Sequence, residues 1–503
     1  MTETIKIETS CKYEEALKKD ETLFYEDGFY YKDKNKDVLV GISPDFFNKI
    51  PGTNKTTIKI PSSVREINDG AFIGISIKRA DLLIPNTVEQ IGDSAFHMFY
   101  CRKIKFEDGL KSLPDSAFHA CRVSKYDLPP SVKKIGNFCF SGSSSAKNID
   151  LSHVEEIGIC AFSGCQIESL VLNEIKSISH TAFSNSALKN VEINAKNNFV
   201  IMPKTFSGCR YLEKVTMKNV IEIGEEAFSF TDHLNSINLS DNPVKKIDYM
   251  AFCSSGLTEL TLPSDIKRIN NSAFSTCRNL VHVSIPESVT SKDGISLGSS
   301  IFEDTAVTEL TIPESVHSME QRCLESMKNL ETLTVNADVD RIPPSFADNC
   351  IKLKNITLNP KINYLCELAF HNTAFTEVSS AFKNIRLFGR LCFKECNNLE
   401  KVFINEKAMV EDLAFAMCDH LRLAVFLGDN ISPGAFDRAS NKVHDGLTLI
   451  APNILSSTAS ILRNKSITTG TDIKVLDKAD KDTIDELLGV VPFRVLATIN
   501  KGY

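Results

Sequence analysis

Three residues invite a chemical reading first: Glu259, His282 and Glu309, each standing directly before an apolar–variable–apolar triplet (LTL, VSI and LTI). If those triplets are neighbouring strands, the carboxylates and the imidazole form an acid–histidine–acid row with members about 5 Å apart. Such a row can bind a metal or shuttle a proton; it is also what a solvated surface ladder looks like. The variable residue inside each triplet gives a second row, Thr261, Ser284, Thr311, Thr334 and Thr357, with Ser379 at its far end. Hydroxyls both donate and accept hydrogen bonds, so this strip suits a protein or a glycan, although threonine is also a favoured strand residue. The same slot holds Asp127, Asp150, Val171, Glu192, Thr216 and Asn238 earlier in the chain, and Phe403 and Val425 later.

Other chemistry is hard to find. No phosphate-binding glycine loop, dinucleotide fingerprint, paired-histidine zinc motif or nucleophile elbow occurs. Asp33, Asn35 and Asp37 open like a calcium loop, but Val38 stands where that loop needs glycine and Pro44 where it needs glutamate. The fifteen cysteines include no CxxC pair. Six of them, Cys121, Cys165, Cys209, Cys277, Cys396 and Cys418, lie three residues after a phenylalanine, and Cys350 lies four after. A recurring slot of that kind reads as packing for a small, soft side chain, so the thiols are expected to be reduced and buried. No catalytic residue, cofactor or metal is assigned, and the chain reads as a non-enzyme.

The elements that would position the two rows come from a repeat. Aligned on "AF" and its variants, the chain gives a ladder at Phe72, Phe96, Phe118, Phe140, Phe162, Phe183, Phe206, Phe228, Phe252 and Phe274. It continues through Phe302, Leu324, Phe346, Phe370, Phe393, Phe415 and Phe436, in steps of 21 to 24 residues with one of 28. That period lies in the range of leucine-rich repeats. After each ladder residue comes L-x-x-L-x-L, whose alternating end is a half-buried strand; Leu280, Val283 and Ile285 are one instance. Proline often follows (Pro61, Pro85, Pro129, Pro263, Pro286, Pro313) and stops ladder pairing. Next come S-V-x-x-I, a short extended segment, and then a single helical turn carrying Ala-Phe. One such coil cannot bury its apolar face alone, so the coils must stack. The 28-residue step contains SKDGISLGSS (Ser291–Ser300), which reads as a protruding loop.

With 503 residues, 42% apolar and 24% charged, the chain is typical of a packed soluble protein. Its net charge of −7 is spread without a basic block, which argues against nucleic acid as a partner. No apolar run approaches the ~20 residues of a membrane span. The start, MTETIKIETSCKYEEALKKD, lacks the basic and apolar regions of a secretory signal. The setting expected from this is cytoplasmic.

The pattern L-x-x-L-x-I-P-x-S-V-x-x-I-x-x-x-A-F-x-x-C, clearest in LTIPESV (Leu310–Val316) and VSIPESV (Val283–Val289), resembles the BspA-like class of leucine-rich repeats. The resemblance runs from about Ile58 to Pro452. It implies a curved, right-handed solenoid, mainly β with little helix, whose parallel strands line the concave face. It also implies a binding protein, since family members are adhesins or surface-associated proteins. Three regions follow: 1–55 as an N-terminal cap with a short helix and the hairpin LFYEDGFYYKDKNKDVLVGI (Leu23–Ile42), 56–452 as about 17 repeats, and 453–503 as a C-terminal cap and short helical tail. The expected function is recognition of a protein or cell-surface glycan through the concave face, with adhesion or host interaction as one setting; the alternative to the cytoplasm is the cell surface, reached by a non-classical route. The alternative is an intracellular adaptor whose repeats position the tail, in which DTIDELL forms a short helix.

Overall fold

The computed structural model of the protein describes residues 20, 22–43, 56–144, 147, 149–287, 293–439, 446–469 and 473–476. The expected N-terminal helix, the first two residues of the Ser291–Ser300 loop and the DTIDELL tail lie outside these residues. The chain divides into two compact units, Met1–Val244 with Ala251–Gly256, and Lys245–Met250 with Leu257–Tyr503. Both are β-solenoids built from the same coil, about 17 turns in all, with parallel strands and little helix. No helix among the described residues is long and apolar enough to cross a membrane.

Each coil has two hydrogen-bonded walls. The first is the predicted strand: in the first unit Thr57–Lys59, Ser76–Ile84, Tyr100–Phe106 and Arg122–Asp127 pair in parallel, with Ile58, Leu82, Ile104 and Tyr126 in one buried row. The second is the S-V-x-x-I segment. In most coils only two residues reach strand geometry there, as in Ser112–Leu113, Lys134–Ile135, Glu156–Ile157 and Ser177–Ile178, yet they too form a parallel ladder. The isoleucine or leucine of each pair points inward, which closes the core from the opposite side.

The Ala-Phe segment is built as three overlapping reverse turns. Around Phe96, the amides of Ala95, His97 and Phe99 bond three residues back, while those of Ser94, Phe96 and Met98 donate to Asp115, Ala117 and His119 of the next coil. A continuous helical turn would spend its amides within the coil; alternating them makes this segment a third inter-coil seam. The geometry puts the residues two before and two after the ladder residue in left-handed conformation, Ser94 at φ 55° and Met98 at φ 58°. That conformation costs roughly 1–2 kcal/mol for an L-residue, and the inter-coil hydrogen bonds hold it.

The ladder rings form the spine of the core. From Phe72 to Phe252 in the first unit, nine rings stack with centroids 4.7–5.6 Å apart and planes within 6–15°. In the second unit the spine is interrupted. Phe274 and Phe302 stack at 5.8 Å, and Phe370, Phe393, Phe415 and Phe436 stack again at 5.4–5.6 Å. Between them, Leu324 fills one slot and Ala347 the next. The ladder position is thus Ala347, correcting the alignment that places Phe346 there. Ala347 carries the slot's inter-coil amide bond, to Ala369 O, and Phe346 meets Phe370 edge-on at 6.2 Å and 87°. Sequence alignment favoured the aromatic residue, whereas backbone register decides the slot; Cys350 then falls three after the ladder residue, like its counterparts.

At the N-terminal end, Phe24–Glu26, Phe29–Tyr31 and Val38–Ile42 form a three-stranded antiparallel meander. Val38 and Leu39 then pair in parallel with Glu66 and Ile67, so the meander adds to the second wall. Near the other end, Leu447–Ile450 is followed by an α-helix, Ser456–Thr469, and by Ile473–Leu476, which pairs in parallel with Leu447–Ile450. The Ser-rich helix has no sequence pattern to announce it; Ala459 and Leu462 anchor it, and Arg463 donates to Val475 O. The Ser291–Ser300 segment is only partly a loop. Ile295–Leu297 is a buried second-wall strand that pairs with Arg268–Ile269 and Val316–Met319. Gly294 permits this at φ +68°, where a Cβ would lie 2.4 Å from the His317 ring.

Candidate binding site

The two rows read from the sequence meet in the second unit. Glu259 lies opposite His282 and Thr261 opposite Ser284, in parallel register. Across the following strands Glu309, Thr332 and Asn355 form one row and Thr311, Thr334 and Thr357 the other. Thr261, Ser284, Thr311 and Thr357 are exposed and Thr334 half-buried, while Leu260, Leu310 and Leu333 of the alternate positions are buried. All five hydroxyl residues therefore stand on the outer face of the strand wall, as the period-2 pattern requires.

They do not stand on one uninterrupted sheet. Among the described residues, no backbone pairing joins His282–Ser284 to Glu309–Ile312; the first belongs to a two-stranded ladder and the second to a three-stranded one. This break falls in the 28-residue step. A cleft of about 400 Å³ opens over it, with Glu259, Thr261, His282 and Ser284 on one side and Glu309, Thr311, Thr332 and Thr334 on the other. The acid–imidazole row and the hydroxyl row are thus two rims of one depression. Among the described residues, no three His, Cys, Asp or Glu side chains are grouped to hold a metal ion.

The same slot elsewhere behaves differently. Val171, Glu192 and Thr216 continue it in register in the first unit. Asp127 is ion-paired with Lys103 and with Lys125, the latter at 3.3 Å. Asn238 turns its amide back on the Met217 backbone, bonding both N–H and C=O, and Asp150 caps Ser152 instead of joining a strand. Ser379 leaves the row altogether, bonding to Glu377 at the start of a short 3-10 turn. Phe403 and Val425, expected to face outward, are 6% and 0% exposed. They join Ile450 and Leu476 in an apolar cluster, because in these last coils apolar side chains occupy both faces of the strand.

Two clusters escape sequence reasoning. His371 lies between Asp348, at 2.7 Å from Nδ1, and Glu395, at 3.3 Å from Nε2. The Asp348 hydrogen bond holds its pKa above the ordinary histidine value against the opposing effect of burial. The three residues come from successive coils 23 and 24 positions apart, and shifting the ladder to Phe346 hides that Asp348 and His371 share a slot. His97 and His119 stack at 4.9 Å in the same slot of the first unit, and burial with their mutual repulsion lowers the pKa of His97.

The cysteine slot carries a bond as well as packing. Cys121, Cys165, Cys209, Cys350, Cys396 and Cys418 donate S–H to the carbonyl of the preceding coil's ladder residue at 2.6–3.2 Å. Ser143 makes the same bond to Phe118 O. Burial pushes the Cys121 and Cys165 thiols up to about 12. None of the fourteen described cysteines is in a disulfide, and most of them are buried.

Comparison with known proteins gives the repeat its kinship. The family described as BspA type leucine rich repeat region matches in six copies, over residues 40–83, 76–189, 151–256, 199–326, 291–386 and 326–442. Among curated proteins, none matches. Among solved structures, the chain is similar to a leucine-rich repeat protein from Bacteroides ovatus ATCC 8483, at 18% identity and a TM-score of 0.48, over 90% of this chain and 97% of that one. It is also similar to the pneumococcal vaccine antigen PcpA, at 16% identity and a TM-score of 0.38, over 90% of this chain and 98% of that one. With the family's repeat matched along most of its length, the chain belongs to the BspA-type leucine-rich repeat family.

Proposed function

We propose that the protein is a non-catalytic binding scaffold that recognises an extended macromolecular partner across the strand face of its second unit. The observation that carries this reading is the cleft over the split strand ladder, where Thr261, Ser284, Thr311 and Thr334 present hydroxyls from a rigid wall. Threonine is at home in any strand, so the row gains its meaning from the cleft. The face is open and follows the strands, which fits a chain-like ligand better than an enclosed small molecule. Family membership supports a binding role in general, and protein is the partner class the repeat suggests.

The test is a defined partner, isolated with the wild-type protein and then challenged with the Thr311→Arg, Thr334→Arg double variant. Both changes add bulk at accessible positions and leave the core intact, which circular dichroism can verify. Loss of binding by a folded variant supports the reading; undiminished binding moves the contact elsewhere. Localising the untagged protein in its native cell decides between the cytoplasmic setting and the cell surface.

A further inference from the structure

The last coils bury a row that the rest of the strand wall leaves open. In the strands Lys401–Ile404, Leu423–Phe426, Leu447–Ile450 and Ile473–Leu476, the residues Phe403, Val425, Ile450 and Leu476 stand opposite one another in parallel register. They alternate with Val402, Ala424, Leu449 and Val475, which fill the core, so the row points out of the wall. Its members are nevertheless only 0–6% exposed. Thr334 has the shape of Val425 and is likewise flanked by a paired strand on each side, yet it stays half-buried. Lateral neighbours alone therefore do not close such a position. Two residues earlier on the same outer face, Lys401, Leu423 and Thr448 are half-buried and Lys474 is exposed, so the cover is confined to one row. Among the described residues, Leu423 and Leu427 pack against the row. Both come from Val425's own segment and flank it along the chain; they do not overlie it.

We propose that the chain's own tail, through DTIDELL at 482–488, seats on this row and closes the strand face at the C-terminal end of the array. The chain departs from the row itself: Leu476 is its last member, and residues 477–503 follow directly. Residues 477–481 reach roughly 17 Å when extended, whereas Val425 lies two strand spacings, about 10 Å, from Leu476. The tail can therefore turn back across the strands it has just left. The spacing of Ile484, Leu487 and Leu488 puts all three on one side of a helix, and a segment of that length extends about 10 Å across the row. Asp482, Asp485 and Glu486 fall on its other side, and Lys401 and Lys474 border the row on the outer face. The segment thus matches the face in charge as well as in apolar character. Burying the row releases apolar surface from water. Tethered at Leu476, the tail also meets the row at a higher effective concentration than a second molecule would.

The sequence contains no tryptophan, so a single introduced indole reports its own surroundings. The test uses the full chain with Phe403→Trp, read by emission wavelength and acrylamide quenching. Its emission should be that of a buried indole. Adding Ile484→Lys, Leu487→Lys and Leu488→Lys should shift the emission to the red and raise quenching several-fold, while circular dichroism shows the repeats intact. Because tryptophan at 403 adds bulk to the row, the reciprocal probe is Leu488→Trp in the tail. It should be shielded in the otherwise unchanged chain and exposed by Val425→Thr, Ile450→Thr, which give the row the hydroxyl character of Thr334. Emission from Phe403→Trp that ignores the lysine changes, or a Leu488→Trp indole as open to acrylamide as free tryptophan in the folded protein, would overturn the proposal. Shielding that disappears on dilution, in step with a dimer dissociating in sedimentation, would overturn it as well and assign the cover to a second copy of the chain.

Discussion

The two units use one coil design and differ in how strictly they keep it. In the first, nine phenylalanine rings stack without a break from Phe72 to Phe252. In the second, Leu324 and Ala347 interrupt the stack and one step lengthens to 28 residues; among the described residues the strand ladder breaks in both units, after Asp127 in the first and beside Glu309 in the second. Regular stacking sets each ring of the first unit against the ring of the next coil and ties coil to coil through amide and thiol hydrogen bonds. Where strand pairing stops between His282–Ser284 and Glu309–Ile312, a cleft opens. In this solenoid the candidate site lies at one of the places where the repeat departs from its pattern.

The largest expected effect probes the spine. Phe228 stacks on Phe206 and Phe252, whereas Phe302 stacks on Phe274 and faces Leu324. Phe228→Ala should cost about 3–5 kcal/mol through the cavity it leaves. Phe302→Ala should cost about 1 kcal/mol less, because it forfeits one ring pair instead of two. Equilibrium unfolding measures both, and equal losses would mean that ring stacking adds nothing to burial.

Next in size is the thiol seam. Cys121→Ala should cost about 1 kcal/mol by removing one hydrogen bond to the Phe96 carbonyl, which keeps that of the Phe99 amide. Cys121→Ser should cost less than Cys121→Ala, since Ser143 makes the same bond one coil on. The same packing predicts that native protein exposes few of its fifteen thiols to a labelling reagent and denatured protein nearly all. Rapid labelling of the native protein would break the comparison between seam and surface.

A smaller, pH-dependent effect belongs to the second unit. The pKa of His371 is raised in the folded state, principally by the hydrogen bond to Asp348. Its contribution is therefore fully present below the ordinary histidine value near 6.5 and is lost as pH rises through the raised folded value. Stability of the wild type relative to His371→Gln should shrink across that window, as unfolding midpoints at several pH values would show. A constant difference would remove the ionic role of the Asp348–His371–Glu395 bridge.

The smallest effect is expected at the site itself. Thr311→Ala should change stability by no more than about 0.5 kcal/mol, as for other accessible positions. A loss comparable to Phe228→Ala would mean that the outer and inner faces of the strand are interchanged.

Much of the fold was legible from residue types alone, because each coil repeats the same physical demand. Leu260 and Leu310 alternate with Thr261 and Thr311, and the period of two fixes which face is buried. A phenylalanine every 21 to 24 residues marks where coils stack, and the cysteine slot announces small, buried side chains. The reading failed where neighbouring residues compete for one slot: Phe346 outranks Ala347 by hydrophobicity, yet inter-coil amide bonding assigns the slot to Ala347. It failed again at Phe403 and Val425, whose period predicts an outer face but whose surroundings bury them. The Ser456–Thr469 helix had no periodic signal, and packing of Ala459 and Leu462 decided it. Sequence by itself determined the coil, its spine and the two outward rows, since those depend on local alternation and a fixed period. Only the tertiary structure decided that Glu259, His282 and Glu309 share a cleft with the threonines, because that follows from a backbone pairing that one coil fails to make with the next.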